Sequence, residues 1–430
     1  MPPGTRAFIL AAGLGTRLRP LTDAFPKPAV PFLGAPLLRR TLAVLARAGV
    51  DRVAMNTHHL PETMRQVARD EAARRGLAVS VVHEAVIQGT GGGLRGLARA
   101  MPGDDVVVAW NGDILFAPDL VPLLRLHRAS GAAATMVLLP MPAGRGYGVV
   151  EVDGQGRVQR IGRANPAPLP GCAPWHFSGV HLLSPRVFEV MAPEGPEDIN
   201  RDVYPRLFGE GAVRGVVVDA AWSDLGSAAT YLEAQADVLL GRVPDPLGPE
   251  SPLQGRAGAG ALVEAGARVH ADAELAPDVF VAAGVEVPAG ARVRRSALLE
   301  GARVDAGEEV EEEIRWAGRR LSVRLQRVAD LADAVSESLN VLAHLAWASD
   351  LVTAAGDLPF EFRARSIKAV QAVQPVLSRI SGSADAARLT ESGAHLERLA
   401  AALQALEPGR GPDIQELARA FLRAAGFAPP

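Results

Sequence analysis

Residues 261–310 repeat a pattern every six positions. Val263, Val269, Leu275, Val281, Val287, Val293 and Leu299 stand in phase. Two positions before each of them sits Ala261, Ala267, Ala273, Val279, Val285, Ala291 or Ala297. After Leu299 the phase slips by one residue, to Val304 and Val310. A six-residue period fits neither a helix of 3.6 residues per turn nor a strand that alternates every two. It is the pattern of a β-helix, where each hexapeptide is a rung and the repeated aliphatic residue fills a continuous core. The repeat unit is predicted over 259–311.

Upstream, residues 1–240 alternate short apolar runs with helix-like segments. Strands are predicted at Arg6–Ala12, Val50–Asn56, Leu77–His83 and Asp105–Trp110. Helices are predicted at Leu37–Ala48, Glu62–Arg75 and Leu94–Ala100. Such alternation implies an α/β domain with a mostly parallel, Rossmann-like sheet covered on both faces. Residues 241–258 carry Pro244, Pro246, Pro249 and Pro252 with several glycines, a linker composition. From 312 to 430 the period becomes helical. Leu321, Leu325, Val328, Ala332, Val335, Leu339, Leu342 and Ala346 step by fours and threes, and an α-helical bundle is expected there.

Charge narrows the function classes. The 430 residues hold 45 Lys+Arg against 48 Asp+Glu, a formal net charge of −3. That excludes a nucleic-acid binder driven by bulk charge. The single cysteine, Cys172, forms no internal disulfide, and a cytoplasmic setting is expected. No targeting segment is evident, and no stretch approaches the ~20 apolar residues of a membrane span. Only Lys27 and Lys368 are lysines, so each place that uses one is worth asking about.

The first predicted strand runs into Leu10-Ala11-Ala12-Gly13-Leu14-Gly15-Thr16-Arg17-Leu18-Arg19-Pro20-Leu21-Thr22. Glycines after a strand bring backbone N–H groups close to phosphate oxygens. Leu18 stands where a dinucleotide fingerprint wants a third small residue, and the P-loop's Gly-Lys-Ser/Thr is missing. The fuller string continues into Pro26-Lys27-Pro28. Further on come Gly89-Thr90-Gly91-Gly92-Gly93, Asn111-Gly112-Asp113, Phe177-Ser178-Gly179-Val180 and Trp222-Ser223-Asp224-Leu225-Gly226-Ser227. Together these motifs resemble those of the sugar-1-phosphate nucleotidyltransferases over residues 6–240. Within that family the look is nearest the N-acetylmuramate-1-phosphate uridylyltransferases and mannose-1-phosphate guanylyltransferases. A C-terminal hexapeptide repeat, a left-handed β-helix with about three hexapeptides per coil, is a common appendage of the family.

The resemblance implies a reaction between a nucleoside triphosphate and a sugar 1-phosphate, giving a nucleotide sugar and pyrophosphate. Two anions must meet, so placed cations and Mg²⁺ must offset their repulsion. Arg17 is expected to steady the leaving pyrophosphate, and Lys27 to contact the α-phosphate and the sugar phosphate. Ala11, Ala12, Gly13, Gly15, Thr16, Glu84, Gly89 and Thr90 would bind the nucleotide. Gly148, beside Tyr147, and Ser178 and Gly179 would belong to the sugar pocket. Asp113 and Asp224 would hold the metal, since Mg²⁺ takes oxygen ligands.

One departure stands out. Many relatives carry Glu-Lys-Pro after the central hairpin, which binds the sugar and its phosphate. Here the string is Gln159-Arg160-Ile161-Gly162-Arg163, and Arg160 or Arg163 is a candidate substitute. Hence an alternative: a catalytically weak regulatory or nucleotide-sugar-sensing homologue acting through its C-terminal domains. His58-His59 and His176 lack a zinc pattern, and His176 reads as pocket wall or core. His270 alone makes an acyltransferase site in the repeat a weak reading. Self-association through 255–430 is expected from its apolar stripes.

Overall fold

The computed structural model describes residues 5–103, 106–142, 147–162, 169–253 and 260–323. It divides into a unit ending at Ser322 and a second, Val323–Pro430. The helical periodicity from Leu325 onward, and Arg163, lie outside the described residues.

The sheet grows from β1 (Thr5–Leu10), which pairs in parallel with β2 (Arg52–Thr57) and β4 (Val106–Asn111). β3 (Ala78–His83) extends it beyond β2. Between them run α1 (Leu37–Arg47), α2 (Pro61–Ala73) and α3 (Gly89–Ala100). Successive side chains of a strand face opposite sides. Ala7, Ile9, Val53, Met55, Val108 and Trp110 therefore enter one core, with Leu42 of α1 and Met64 of α2. Phe8, Ala54, Val107 and Ala109 enter the other, with Leu94 and Leu97 of α3. That two-sided burial is why these strands read as continuous apolar runs.

Past Asn111 the pattern changes. α4 (Leu120–Ser130) leads to β5 (Ala134–Leu139), then to the antiparallel pair β6 (Val149–Asp153) and β7 (Val158–Gly162). The long β8 (Cys172–Leu183) runs antiparallel to β4, β5 and β6, so the sheet is mixed on this side. β9 (Val213–Val217) pairs in parallel with β5, and α5 (Ala228–Leu239) follows. Ser227 caps α5 by a capping box with Thr230.

Three predicted elements need correction. The helix predicted at Leu94–Ala100 begins earlier, at Gly89, so α3 forms despite five glycines. Tertiary contact outweighs their poor helix propensity. A Cβ on Gly91 would meet Glu197 O at 3.1 Å, on Gly92 it would meet Gln88 Cβ at 2.8 Å, and on Gly93 Asn56 Nδ2 at 2.6 Å. Leu321 is not the first residue of a helical stripe. It lies in the strand Arg319–Ser322, antiparallel to Glu313–Trp316. The two-residue connection, Ala317 (φ 42°) and Gly318 (φ 70°), is left-handed at both positions, as tight hairpins require. The 241–258 segment is not a loose tether along its described length. Asp245 accepts from Arg40 Nε at 2.9 Å in a buried ion pair, and Leu247 is buried.

The six-residue repeat forms three stacks of short parallel strands. Val263 pairs with Val281, Val269 with Val287 and Leu275 with Val293, so the chain returns to the same stack after three hexapeptides. The next coil is one residue shorter: Val281 pairs with Leu298 and Val293 with Val310. The slip thus falls at Arg294-Arg295-Ser296, before Leu299, with Arg295 at φ 42°. Leu298 and Leu299 are both buried aliphatics, so the pattern alone did not separate them.

Candidate active site

A cleft of about 250 Å³ opens at the C-terminal ends of β1, β2 and β4. In open α/β sheets this is where ligands bind, because loops diverge there and backbone donors are unpaired. Leu10 to Gly13, Lys27, Pro28, Asn56, Ile87, Gly89, Thr90 and Asn111 to Asp113 line it.

The glycine turn forms one wall. Gly15 adopts φ 63°, and its carbonyl accepts from Leu18 N and from Thr22 Oγ1, both at 2.9 Å. A side chain there would collide with Thr22 Cγ2 at 2.8 Å. Gly13 differs: a Cβ would meet nothing within 4 Å, so its backbone is left open. Ala11 N donates to Asn56 Oδ1 at 2.7 Å, which pins the start of the turn to the end of β2. Thr16 and Arg17 begin a single helical turn.

Lys27 reaches across the floor. Its Nζ donates to Asp113 Oδ2 at 2.7 Å, and both side chains are largely withdrawn from solvent, 13% and 34% exposed. Asp113 is presented by a close fit behind it, since Gly112 N donates to Leu10 O at 2.9 Å. Asp224 comes from the short strand Trp222–Asp224, paired antiparallel with Ile114–Phe116. Leu225 N donates to Asp113 O at 2.9 Å, tying the two aspartate segments together. A Cβ on Gly226 would lie 2.7 Å from an Arg17 guanidinium nitrogen and 3.2 Å from Asp224 Oδ2. Gly226 therefore makes room for Arg17 beside Asp224. Lys27 thus sits on Asp113 and Arg17 beside Asp224, on segments joined by the Leu225–Asp113 bond.

Among the described residues there is no group of three or more His, Cys, Asp or Glu that could hold a metal. Asp113 and Asp224 offer only two carboxylates. That donor set fits Mg²⁺, which keeps waters and takes substrate phosphate oxygens for the rest of its shell.

Several predicted site residues are placed otherwise than expected. Glu84 does not line the cleft. It is buried, its Oε1 accepts from Asn56 Nδ2 at 2.8 Å and its Oε2 from Gln88 N at 3.0 Å. Its carboxylate joins Asn56 to the turn into α3. Thr90 does line the cleft, but its hydroxyl donates to Asp198 Oδ2 and accepts from Ile199 N. Gly89 and Thr90 head α3, yet Gly91 N and Gly92 N donate to Glu197 O, so those two donors at the helix start are taken.

Ser178 is fully buried and donates to Val137 O at 2.8 Å. With Gly179 (φ 89°) it forms a register break where β8 meets β5. Bulges of this kind re-aim neighbouring groups. Here the Ser178 carbonyl accepts from Trp222 Nε1 at 2.6 Å, and a side chain at Gly179 would strike Asn111 Nδ2 at 2.9 Å. Both residues act as supports. Gly148 faces Gly162 O, 3.3 Å from where its Cβ would be. Arg160 donates to buried Glu151 at 2.5 Å.

The sequence reading missed Asn56 and Glu151, and it named Tyr147, His176 and Trp222 only separately, without the contacts that join them. Tyr147 donates to Asp224 Oδ1 at 3.0 Å, and the His176 ring stands 4.6 Å from Tyr147 and 4.5 Å from Trp222. An Asn inside the apolar run Val53–Thr57 was the available signal for Asn56, since a buried amide needs partners. His58 and His59 bind the backbone carbonyls of Glu84 and Thr22.

Residues 6–240 match the family described as Nucleotidyl transferase. The chain is 32% identical over 243 residues to a mannose-1-phosphate guanylyltransferase of Mycobacterium tuberculosis, covering 56% of this chain and 66% of the relative. It is 33% identical over 248 residues to a UTP–glucose-1-phosphate uridylyltransferase of Synechocystis, covering 54% and 63%. These matches span just under two thirds of each relative's length. HddC of Yersinia pseudotuberculosis, a crystal structure with GMP-PN, superposes with a TM-score of 0.45 at 23% identity over 53% of this chain and 97% of that one.

Proposed function

The chain belongs to the nucleotidyl transferase family, and we propose that it joins a nucleoside triphosphate to a sugar 1-phosphate in the cleft below the glycine turn. An oxygen of the sugar phosphate attacks the α-phosphorus. The bond from that phosphorus to the β-phosphate bridging oxygen breaks, and pyrophosphate leaves. The observation that carries this reading is the Lys27–Asp113 contact at 2.7 Å on the floor of the cleft. In this reading the Lys27 ammonium supplies the point charge where the two phosphates meet.

Around it the other residues take complementary parts. The backbone of the turn at Ala12, Gly13, Gly15 and Thr16, held in place at Ala11 by its bond to Asn56, takes the triphosphate. Arg17 holds the departing pyrophosphate through its planar fork. Asp113 and Asp224 would hold Mg²⁺, which would neutralise charge on the phosphates. Tyr147, Gly148 and the wall built on Ser178 and Gly179 flank the sugar.

The remaining assignments complete the reading. They are domains at 1–240, 259–311 and 312–430 joined by 241–258, a left-handed β-helix in the repeat, a helical bundle after it, homo-oligomers through the C-terminal region, no nucleic-acid partner and a cytoplasmic setting. Among the described residues no helix is long and apolar enough to cross a membrane.

The test is pyrophosphate release with Mg²⁺, across ATP, GTP, UTP and dTTP against glucose, mannose, N-acetylglucosamine and N-acetylmuramate 1-phosphates. One productive pair that stops on chelation supports the proposal. No turnover with any pair overturns it in favour of the sensing alternative, which the missing Glu-Lys-Pro string and the engagement of Arg160 by Glu151 favour.

A further inference from the structure

Among the described residues three buried histidines separate into two kinds. His127 bonds Thr135 Oγ1 at 2.8 Å and Ser184 Oγ at 3.0 Å. His181 meets the Tyr204 hydroxyl at 2.6 Å. These two are satisfied parts of the core. His176 is only 4% exposed, and neither of its ring nitrogens has a hydrogen-bond partner. Buried polar groups are nearly always paired, so one left without partners calls for an explanation.

Its surroundings supply one. His176 sits between Tyr147 and Trp222, tilted 44° to the first ring and 69° to the second. The polar atoms of both neighbours are directed elsewhere, Tyr147 Oη to Asp224 Oδ1 and Trp222 Nε1 to Ser178 O. A neutral imidazole offers one donor and one acceptor. That pair of functions matches a sugar hydroxyl, or two adjacent ones. Aromatic faces around a donor and an acceptor are also what a pyranose ring, apolar on one face and hydroxylated at its edge, needs for recognition. The half-buried Tyr147 ring packs against the imidazole at 4.6 Å, so a sugar that reaches the ring nitrogens has to displace it.

We propose that His176 is a specificity-determining residue that hydrogen-bonds the hexose ring of the sugar 1-phosphate, from a pocket built with Tyr147 and Trp222 against Asp224. The proposal rests on the transfer reading above. It deepens that reading at the sugar side, where the expected Glu-Lys-Pro string is absent.

The experiment uses the full-length chain and measures binding directly. Glucose, mannose and N-acetylglucosamine 1-phosphates are titrated calorimetrically in the presence of a non-hydrolysable triphosphate and Mg²⁺. The variants are His176→Phe, which keeps an aromatic ring and deletes both nitrogens, and His176→Gln, which returns one donor and one acceptor. The expected result is that His176→Phe weakens the preferred sugar 1-phosphate by about 10-fold or more and narrows the preference among the three sugars. Triphosphate affinity stays within twofold of wild type, and His176→Gln recovers part of the loss. Unchanged sugar affinity in a folded His176→Phe, or an equal loss for triphosphate and sugar phosphate, overturns it. Should His176→Phe fail to fold, wild-type affinity and preference in His176→Gln together with His176→Leu overturn it equally. Pyrophosphate release by the wild type is followed in parallel, so a failure of the transfer reading shows there while the binding comparison still decides the role of His176.

Discussion

Lys27 is held at both ends. Its Nζ lies on Asp113, and a Cβ built on Gly15 comes within 3.0 Å of its Cγ, so the stem has little room beside the turn. A longer, planar guanidinium has to displace the turn or overshoot Asp113. Lys27→Arg keeps the charge, yet is expected to cut kcat roughly 10- to 100-fold, and Lys27→Met about 10²- to 10³-fold. Steady-state pyrophosphate release on the productive pair checks both. A near wild-type rate for Lys27→Arg would show that charge alone suffices. The sequence carried this residue clearly, because Pro26 and Pro28 bracket it in a chain with one other lysine. Ser178 and Glu84 were harder to read. Their types suit ligand contact, and the bonds from Ser178 to Val137 and from Glu84 to Asn56 are visible only in the structure. Such long-range pairings leave no periodic mark in a sequence.

At the level of elements, α3 and α4 show opposite ways of fixing a helix to the sheet. α3 does it with missing side chains. Replacing a helix-interior glycine by alanine ordinarily gains about 1 kcal/mol. At Gly93 the new methyl would lie 2.6 Å from Asn56 Nδ2 and 3.1 Å from Glu84 Oε1, and overpacking typically costs about 1–3 kcal/mol. Gly93→Ala is therefore expected to lower stability and to weaken triphosphate binding through Asn56. Gly96→Ala, where nothing lies within 4 Å, is expected to raise stability by roughly 0.5–1 kcal/mol. Thermal melts of the two variants check the contrast.

α4 is fixed by a polar anchor, His127, near its C-terminal end. Burial pushes its pKa from 6.5 down to about 4. The unfolded imidazole takes a proton near pH 6.5 while the folded one does not. The stabilising term is thus complete above pH 6.5 and falls away as pH drops toward 4. From His127 alone that is about 2 kcal/mol between pH 7 and pH 5. Denaturant midpoints at the two pH values measure it, and His127→Gln should flatten the slope. An equally steep loss in the variant would put the acid sensitivity elsewhere. The strands that hold this helix were legible from their apolar runs. The antiparallel turn of the sheet past Asn111 was not, because strand direction is set by which edges meet, and local composition is silent on that.

Over the unit ending at Ser322, the catalytic sheet and the repeat are joined by buried polar contacts. Gln235, fully buried in α5, donates from Nε2 to Asp278 O at 3.0 Å and Ser296 O at 2.9 Å. Arg40 and Asp245 are buried together, and Arg40 NH1 also donates to Phe32 O at 2.7 Å. Removing one member of a buried ion pair typically costs about 3–5 kcal/mol, because the survivor keeps its desolvation penalty. A truncation after residue 240 deletes Asp245 and both acceptors of Gln235 in one step. It is expected to melt well below the full chain, by more than Asp245→Ala alone. A truncation after Ser322 keeps all of these contacts, so its melting temperature should stay near that of the longer chain. Self-association separates from stability in the same pair. Light scattering should show a smaller oligomer for the 1–240 fragment than for the full chain, since 255–430 is expected to drive assembly. If the 1–322 fragment keeps the full oligomer, the repeat carries the assembly; if it dissociates, the region after Ser322 does. An unchanged oligomer in the 1–240 fragment would move the interface onto the catalytic sheet itself.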